Sequence, residues 1–404
     1  MMNARVEVDE KVEPETQAPA EVSASDLIPL SDPDITLEDI AAVEAVLRSS
    51  RVSSGAVMEA FEAAFAAYLG RKFAVAAPSG TMGLLLALAA YEIGPGDEVI
   101  ASPHSFRETV HAIALSGAKP VFADIDYWSG VIAPGKIEPL ITEKTRAIVG
   151  GNTNGHPAQW RELREIAKKH RLILLEDSTE AIGSKYRGAL VGTFGEASVF
   201  DFSQPGPLVC GEGAVVVTDD IDVAVAMRRF RSHKPGERAS VVVGSSAPYQ
   251  VAMSDITAAL GLAQLSRLEE ILEKRKLIEH YYFKHVKSFE GIKDPFIGPE
   301  VDEVHWFLYV VHLGTRFSKS SRDAIVEDLL VEKLEAAAYS NPLHTQRRYF
   351  DYGYRRGSFL VAEKVSDRAV AMPFHVHLQE RQIAFIVQTM KEASINVGAG
   401  AAIY

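Results

Sequence analysis

The sequence has a single cysteine, Cys210, among its 404 residues. One cysteine cannot form an intramolecular disulfide, and no His/Cys cluster has metal-ligand spacing. A secreted disulfide scaffold and a structural zinc site are therefore both disfavoured, and we expect no bound metal. A reducing, cytoplasmic compartment fits this composition best.

Long hydrophobic runs are also missing. The apolar stretches fall well short of the roughly 18 to 20 residues that a membrane-spanning helix needs, so we expect no membrane segment. The acidic residues 1–32 are rich in Pro, Ala and Glu and lack the basic and apolar regions of a signal peptide. We interpret them as a flexible acidic tail.

Basic stretches interleaved with aromatic residues are absent as well. The formal net charge is −12, which opposes binding to the nucleic-acid backbone, so nucleic acid is not an expected partner. The content of 47% hydrophobic and 24% charged residues is ordinary for a soluble globular protein. The length allows one large domain and one smaller domain.

Short β-rich runs alternate with helical patterns after the tail. Examples are FAVAA, EVIAS, PVFADID, RAIVGG, LILLEDS, ASVFDF and AVVVT, separated by segments such as MGLLLALAAYE and WRELREIAKKH. This alternation predicts an α/β fold with a mostly parallel central sheet and helices on both faces.

A long helical pattern, ITAALGLAQLSRLEEILEKRKLIEHYY, leads out of the sheet region. It is too long for an ordinary helix, and we predict that it connects two domains. The remaining patterns predict a small α+β C-terminal domain. The predicted organisation is a tail at 1–32, a large domain at 33–285 that ends in the connecting helix, and a small domain at 286–404.

A candidate anion site lies at Ser79-Gly80-Thr81, between a predicted strand and a predicted helix. Glycine allows close backbone approach, hydroxyl groups donate hydrogen bonds, and a helix N-terminus presents unpaired N–H groups. An ordinary turn with a Ser or Thr helix cap would give the same pattern.

Two further signals agree with a ligand at this sheet edge. Asp177 ends the apolar strand LILLED, and in open α/β sheets ligands gather at the carboxyl ends of strands. A buried carboxylate there could bind a protonated ring nitrogen, although it could also cap a helix. Phe106 could stack on a flat ring or belong to the core.

The order of motifs resembles the DegT/StrS-type aminotransferases of fold type I, which use pyridoxal 5'-phosphate (PLP) and mostly act on nucleotide-linked keto-sugars or cyclitols. The resemblance runs from about residue 53 to 390 and includes PSGTMGLLLAL, HSFRET, PVFADID, NGHPAQW, LLEDSTEAIGSKYRGALVGTFG, GEGAVVVTDD and PLHTQRRYF. It implies a homodimer with active sites between subunits. It also implies that the ring nitrogen faces Asp177, the ring stacks on Phe106, and the phosphate binds Gly80 and Thr81.

One departure from the family pattern concerns the catalytic lysine. The family has Phe-Ser-Phe, three further residues, the Schiff-base Lys, and then Gly-Glu-Gly. This chain reads FDFSQPGPLVCGEG without a gap, so Gly206 stands at the lysine position. Glycine cannot form an imine or shuttle a proton, and we therefore predict that the chain is not a competent transaminase by itself.

Other departures fall at the same site. Asp201 replaces a serine that would contact the phosphate, and a carboxylate beside a dianion is repelled unless it is protonated or bridged by a cation. Glu180 stands where the family has Gln or His. Gln250 lies in the segment through which a neighbouring subunit reaches the phosphate, where the family has an arginine.

Other side chains were considered as substitutes for the missing lysine. Lys185 matches a family position that is normally near the surface, and Lys234 follows RSH in a predicted loop, so neither is an expected substitute. Three histidines, His104, His344 and His375, could lie near the cleft, although a packed or surface role explains each of them as well.

Three functions follow from these observations. The first is a family member that binds PLP and a sugar-like ligand without an internal aldimine. The second is an inactive homologue that regulates or scaffolds an active paralogue, as a homodimer or a heterodimer. The third is a cofactor-independent enzyme in which Asp177, Glu180 and Asp201 act as acid and base.

Overall fold

The computed structural model describes residues 27–232, 248–287, 292–293 and 295–400. In these ranges the chain forms a seven-stranded sheet, a four-stranded sheet and a three-stranded sheet. The strands are β1 Phe73–Ala77, β2 Glu98–Ala101, β3 Lys119–Phe122, β4 Thr145–Gly151, β5 Ile173–Asp177, β6 Lys185–Tyr186, β7 Ala189–Leu190, β8 Ala197–Asp201, β9 Ala214–Thr218, β10 Ile292–Lys293, β11 Val301–Glu303, β12 Tyr309–Leu313, β13 Ala337–Ala338 and β14 Ala369–Met372.

The seven-stranded sheet has the order β1-β9-β8-β5-β4-β2-β3. The pairs from β8 through β5, β4 and β2 to β3 are parallel. Strand β9 runs antiparallel to both of its neighbours, β1 and β8. The predicted mostly parallel central sheet is therefore confirmed.

Both faces of this sheet are covered. Alternate residues of β1 point to opposite faces, so Ala74 and Ala76 join one hydrophobic cluster while Val75 and Ala77 join the other. The helices are α1 Leu37–Leu47, α2 Ala56–Leu69, α3 Gly80–Ala90, α4 Arg107–Leu115, α5 Trp160–His170, α6 Ile221–Arg231, α7 Asp255–Ser266, α8 Leu268–Val286, α9 Lys319–Val331, α10 Leu360–Ser366 and α11 Glu380–Gly400.

Helix α3 shows how the sequence places one part of the site. Ser79 caps it, and its side chain accepts a hydrogen bond from the N–H of Met82 at 3.4 Å. The helix is apolar on all sides, and residues 83–88 are buried between the sheet and its neighbours. Its N-terminus is consequently fixed at the carboxyl edge of the sheet.

The prediction of one long connecting helix was wrong. The segment forms two helices, α7 and α8, which are separated at Arg267 with φ −109° and ψ 6°. The Arg267 guanidinium donates to Asp34 and Asp39 at 3.0 Å each, which ties the break to the region of α1. This tertiary contact was invisible in the local pattern, because the apolar spacing continues through the break.

The C-terminal part of the chain has its own antiparallel sheet, with the order β10-β12-β14-β13. Its hydrophobic core includes Val311 and Val370 from the sheet and Ile325 and Ile386 from α9 and α11. These elements match the predicted α+β region, whose boundary at 285/286 stays a prediction.

Part of the predicted N-terminal tail contacts this region. Ile28 forms a parallel bridge with Leu334, and the N–H of Leu30 donates to Glu335 at 2.7 Å. Residues 1–26 of the tail lie outside the described residues. In the part of the chain that is described, no helix has both the length and the hydrophobicity to cross a membrane.

Candidate active site

The predicted anion site at the start of α3 contains an internal carboxylate. The backbone N–H of Gly80, the first residue of the helix, donates to Oδ2 of Asp201 at 2.6 Å. Asp201 ends strand β8 and is only 7% exposed. Its other oxygen, Oδ1, accepts the N–H of Ser203 at 2.8 Å and also the Ser203 hydroxyl. A negative charge at a helix N-terminus is favourable.

Thr81, the second predicted phosphate donor, is also bound within the chain. Its hydroxyl donates to Oε2 of Glu108 in the first turn of α4. Arg107 pairs with the same carboxylate at 2.8 Å, but the arginine side chain is 60% exposed. Burial raises the pKa of Glu108, and the negative charges of Asp201 and Asp177 raise it further.

Asp177 lies at the carboxyl end of β5, as the sequence predicted, and is buried. Its Oδ2 accepts the hydroxyl of Thr109, and its Oδ1 accepts the N–H of Thr179 at 3.2 Å. Burial raises the pKa of this carboxyl group, and Asp201 adds to the effect. Burying this carboxylate in its charged form costs free energy, and the hydrogen bonds from Thr109 and Thr179 offset only part of that cost.

Glu180 lies just beyond Asp177 and is held from two sides. Its Oε2 accepts the N–H of Asn154 at 2.7 Å and the hydroxyl of Tyr339 at 2.5 Å. Burial raises the pKa of Glu180 to about 7, and the charge of Asp177 also raises it. A carboxyl group with such a pKa can accept or release a proton near neutral pH.

His104 lies beside this pair. Its ring packs edge-on against Tyr339 with centroids 5.7 Å apart, and its Nδ1 lies 3.0 Å from the carbonyl of Gly130. Burial lowers the pKa of His104, which favours the neutral ring. Of the three histidines considered from sequence, this one lies next to a residue that contacts Glu180.

The ring of Phe307 neighbours both Gly206 and Phe106. The rings of Phe106 and Phe307 pack edge to face with centroids 6.3 Å apart. A Cβ atom added to Gly206 would lie 3.6 Å from Cε2 of Phe307. The loop after β8 thus brings Gly206 next to Phe307; its correspondence to the family's lysine position stays a prediction.

A family model described as the DegT/DnrJ/EryC1/StrS aminotransferase family matches residues 33–391. The chain belongs to this family. The spore coat polysaccharide biosynthesis protein SpsC of Bacillus subtilis is 32% identical over 376 residues, which is 90% of this chain and 96% of that protein. An uncharacterised protein of Methanocaldococcus jannaschii is 32% identical over 375 residues, with 90% and 97% covered.

Solved structures of aminotransferases have the same fold. The PLP form of a putative sugar aminotransferase from Streptococcus pneumoniae is 26% identical with a TM-score of 0.86, over 92% of this chain and 99% of that one. DesV of S. venezuelae, in complex with a ketimine intermediate, is 28% identical with a TM-score of 0.83 over the same shares. The predicted fold type I architecture is thereby confirmed.

Three further residues came into question from the sequence: Lys185, Lys234 and Gln250. Lys185 pairs with Glu303 at 2.9 Å, and Lys234 lies outside the described residues. Gln250 is exposed and has a left-handed backbone with φ 58°. Its predicted contact with a neighbouring subunit stays a prediction.

The two other histidines are packed away from Glu180. His344 Nε2 lies 2.9 Å from Oε1 of Glu363. The ring of His375 is next to that of His377, with centroids 6.0 Å apart, and burial lowers the pKa of His375 to about 4. Neither is paired with the carboxylates of the candidate site.

Sequence reasoning missed four residues that hold the predicted site residues. Glu108 and Thr109 belong to the HSFRET motif and follow Phe106 on the same helix, so their position at this edge could have been deduced. Asn154 follows strand β4. Because ligands gather at the carboxyl ends of strands in open α/β sheets, its position at this edge could have been predicted, like that of Asp177. Tyr339 comes from the C-terminal part of the chain and gave no local signal.

The site as arranged here does not fit PLP. The cofactor forms its imine with an amine, and Gly206, at which the resemblance to the family implies the lysine, has none. Its phosphate needs free donors at the turn, but the Gly80 N–H and the Thr81 hydroxyl are bound to carboxylates. Within the described ranges, moreover, no group of three or more His, Cys, Asp or Glu side chains is arranged to hold a metal ion.

Proposed function

We propose that this protein is a member of the sugar-aminotransferase family that does not transfer amino groups by itself. The observation that carries the proposal is the position of Gly206, which has no amine and lies beside Phe307, the ring that packs against Phe106. Bound PLP would supply an electron sink for carbanion chemistry, but its imine requires a lysine. The retained cleft would take a sugar-like ligand, a nucleotide-linked keto-sugar or a cyclitol.

Glu180 would form a hydrogen bond with that ligand. It is held by Asn154 and Tyr339, and its pKa of about 7 lets it donate a hydrogen bond when protonated and accept one when ionised. These two forms suit a sugar hydroxyl or carbonyl. The same property supports the cofactor-independent alternative, in which Glu180 is the acid or base and Asp177 and Asp201 set its electrostatic surroundings.

A second candidate function, as partner of an active paralogue, is favoured by an apolar stripe on α1. Leu37, Ile40 and Leu47 lie on one side of this helix and are 83%, 55% and 59% exposed. An apolar stripe of this kind is typical of an interaction surface. The proposal includes a homodimer, or a heterodimer with a paralogue, in the cytoplasm.

The amino-transfer proposal is tested on the purified chain with PLP and glutamate. We expect no 2-oxoglutarate, and after borohydride we expect no PLP linked to the protein in the mass spectrum. Formation of 2-oxoglutarate with a reducible protein-linked adduct would overturn the proposal. The Lys185→Met variant then identifies the amine: loss of the adduct would assign it to Lys185, and its persistence to another lysine.

The partner proposal is tested by light scattering on the variants Ile40→Glu and Leu47→Glu. We expect both to shift the chain toward a monomer, since each places a charge on the apolar stripe. Val331, which is 79% exposed on α9, gives a matched control as Val331→Glu. An unchanged mass for both α1 variants would remove this stripe from the interface.

A further inference from the structure

The N-terminus of α3 is bound by a carboxylate from the chain itself. We propose that Asp201 replaces the cofactor phosphate, so that the chain excludes PLP and inorganic phosphate from the turn at Ser79–Thr81. This inference rests on the proposed function for the location of the phosphate turn. It goes further because the absence of an amine at Gly206 would not by itself prevent PLP from binding noncovalently.

Asp201 makes the contacts that an anion makes at a helix N-terminus. Its Oδ2 accepts the N–H of Gly80 at 2.6 Å, and its Oδ1 accepts the N–H of Ser203 at 2.8 Å together with the Ser203 hydroxyl. The Asp201 carboxylate therefore accepts hydrogen bonds from three donors, and Asp201 is only 7% exposed. Exposed N–H groups at helix N-termini bind phosphate through the same kind of contact.

Asp201 occupies the space beside Gly80. A Cβ atom at Gly80 would lie 2.9 Å from Cβ and 3.0 Å from Oδ2 of Asp201, which is closer than van der Waals contact. The next donor of the turn, the Thr81 hydroxyl, is bound to Glu108. A phosphate group would have to displace both carboxylates to reach these donors.

The charges around the turn oppose such a displacement. The negative charge of Asp201 raises the pKa of Glu108 and also that of Asp177. Arg107 pairs with Glu108, but its side chain is 60% exposed and screened by solvent. A phosphate dianion would enter a site that is already rich in negative charge.

One consequence is that two N–H groups at the start of α3 have partners within the chain without any cofactor: Gly80 donates to Asp201, and Met82 donates to Ser79. The anion is the carboxylate of Asp201, at a position where the resemblance to the family implies a serine. The chain therefore needs no phosphate for a stable helix start, and its sugar-like ligand would bind a cleft in which the chain supplies every group.

The experiment measures binding of PLP, inorganic phosphate and pyridoxal, which lacks the phosphate, by thermal shift and by the visible spectrum of PLP. Wild type is compared with Asp201→Ser and with the isosteric Asp201→Asn, which keeps an oxygen for Gly80 and the side-chain volume. Asp222→Ser is the matched control, since Asp222 is an exposed aspartate in the first turn of α6.

We expect wild type and Asp222→Ser to show no saturable shift with PLP or phosphate. Asp201→Ser should bind both at least about tenfold more tightly, with pyridoxal unchanged. Asp201→Asn, which keeps the side-chain volume and the acceptor for Gly80, should gain less, because it removes only the charge. Saturable PLP binding by wild type, or no gain in the folded Asp201→Ser variant, would overturn the inference. PLP binding by wild type without transfer from glutamate would leave the proposed function intact, so the two failures are distinguishable.

Discussion

The hydroxyl of Tyr339 donates a hydrogen bond to Oε2 of Glu180 across 2.5 Å and joins the C-terminal part of the chain to the carboxyl edge of the central sheet. Glu180 is buried and Tyr339 is half-buried, and the second donor to the same oxygen is the N–H of Asn154. Burial still raises the pKa of Glu180 from 4.5 to about 7, so the two hydrogen bonds only partly offset the loss of hydration.

This shift makes the stability of the protein depend on pH. Because the folded state holds the Glu180 proton more tightly than the unfolded state, stability should fall as pH rises from about 4.5 to about 7. Glu180→Gln mimics the protonated form. We expect this variant to match wild type near pH 4.5 and to be more stable by up to about 3 kcal/mol above pH 7.

Urea unfolding from pH 4.5 to 8.5 measures this difference, and Glu143→Gln, at an exposed glutamate, is the control. The control should follow wild type at every pH. A Glu180→Gln variant that is no more stable than wild type at pH 8 would show that Glu180 ionises without cost in the folded state.

Gly80 should tolerate no side chain. A Cβ atom there would lie 2.9 Å from Cβ of Asp201, closer than side chains approach. We expect Gly80→Ala to lower the free energy of unfolding by about 1 to 3 kcal/mol, because the Asp201 carboxylate must move off the helix start. In Gly135→Ala the new Cβ has open space, so this control should stay within about 0.5 kcal/mol of wild type in the same urea experiment.

A buried ion pair fixes α2 to α6 and to the first strand of the sheet. The Glu62 carboxylate binds Arg231, and the same carboxylate accepts the N–H of Ala76 at 2.8 Å. Glu62→Gln keeps the shape but leaves the Arg231 charge buried without its partner. We expect a loss of about 3 to 5 kcal/mol in the free energy of unfolding.

The matched control for Glu62→Gln is Glu59→Gln, because Glu59 is exposed on the same helix. It should change the free energy of unfolding by less than about 0.5 kcal/mol. Equal effects of the two substitutions in urea unfolding would mean that the ion pair contributes no net stability.

The parts of the site that lie on strand ends and helix starts could be predicted from sequence. Asp177, Gly80 and Phe106 each follow or precede a segment with strong periodicity, and the rule for parallel sheets brings such positions to one edge. Asp201 lies at this edge as well. Its hydrogen bond to Gly80 was not expected, because the sequence indicated repulsion of a phosphate but not which donor the carboxylate would bind.

Features that depend on tertiary contact could not be predicted. Tyr339 reaches Glu180 from a part of the chain 159 positions away, and no local pattern marks that contact. The break between α7 and α8 at Arg267 depends on Asp34 and Asp39, while the apolar periodicity continues through it. Local periodicity reports which face is buried, not which distant side chain interrupts a helix.

If Gly206 stands at the lysine position as proposed, the missing amine and the Asp201 carboxylate should act as two separate barriers to an imine with PLP. In Gly206→Lys the new Cβ would have neighbours no closer than 3.6 Å, and Gly206 is not among the glycines with a left-handed backbone, so the variant should fold. With Asp201 in place, however, PLP should bind it weakly. Adding Asp201→Ser should strengthen PLP binding at least about tenfold.

Borohydride reduction followed by mass spectrometry measures the protein-linked cofactor at increasing PLP concentrations. The double variant Asp201→Ser/Gly206→Lys should give the modified protein at low PLP, and Gly206→Lys alone only at high PLP. Asp201→Ser/Gly206→Ala adds a Cβ without an amine and should give none at Gly206. Equal PLP dependence of the single and double lysine variants would mean that the Asp201 carboxylate leaves the turn when phosphate arrives, and that the missing amine alone separates this chain from its transaminating relatives.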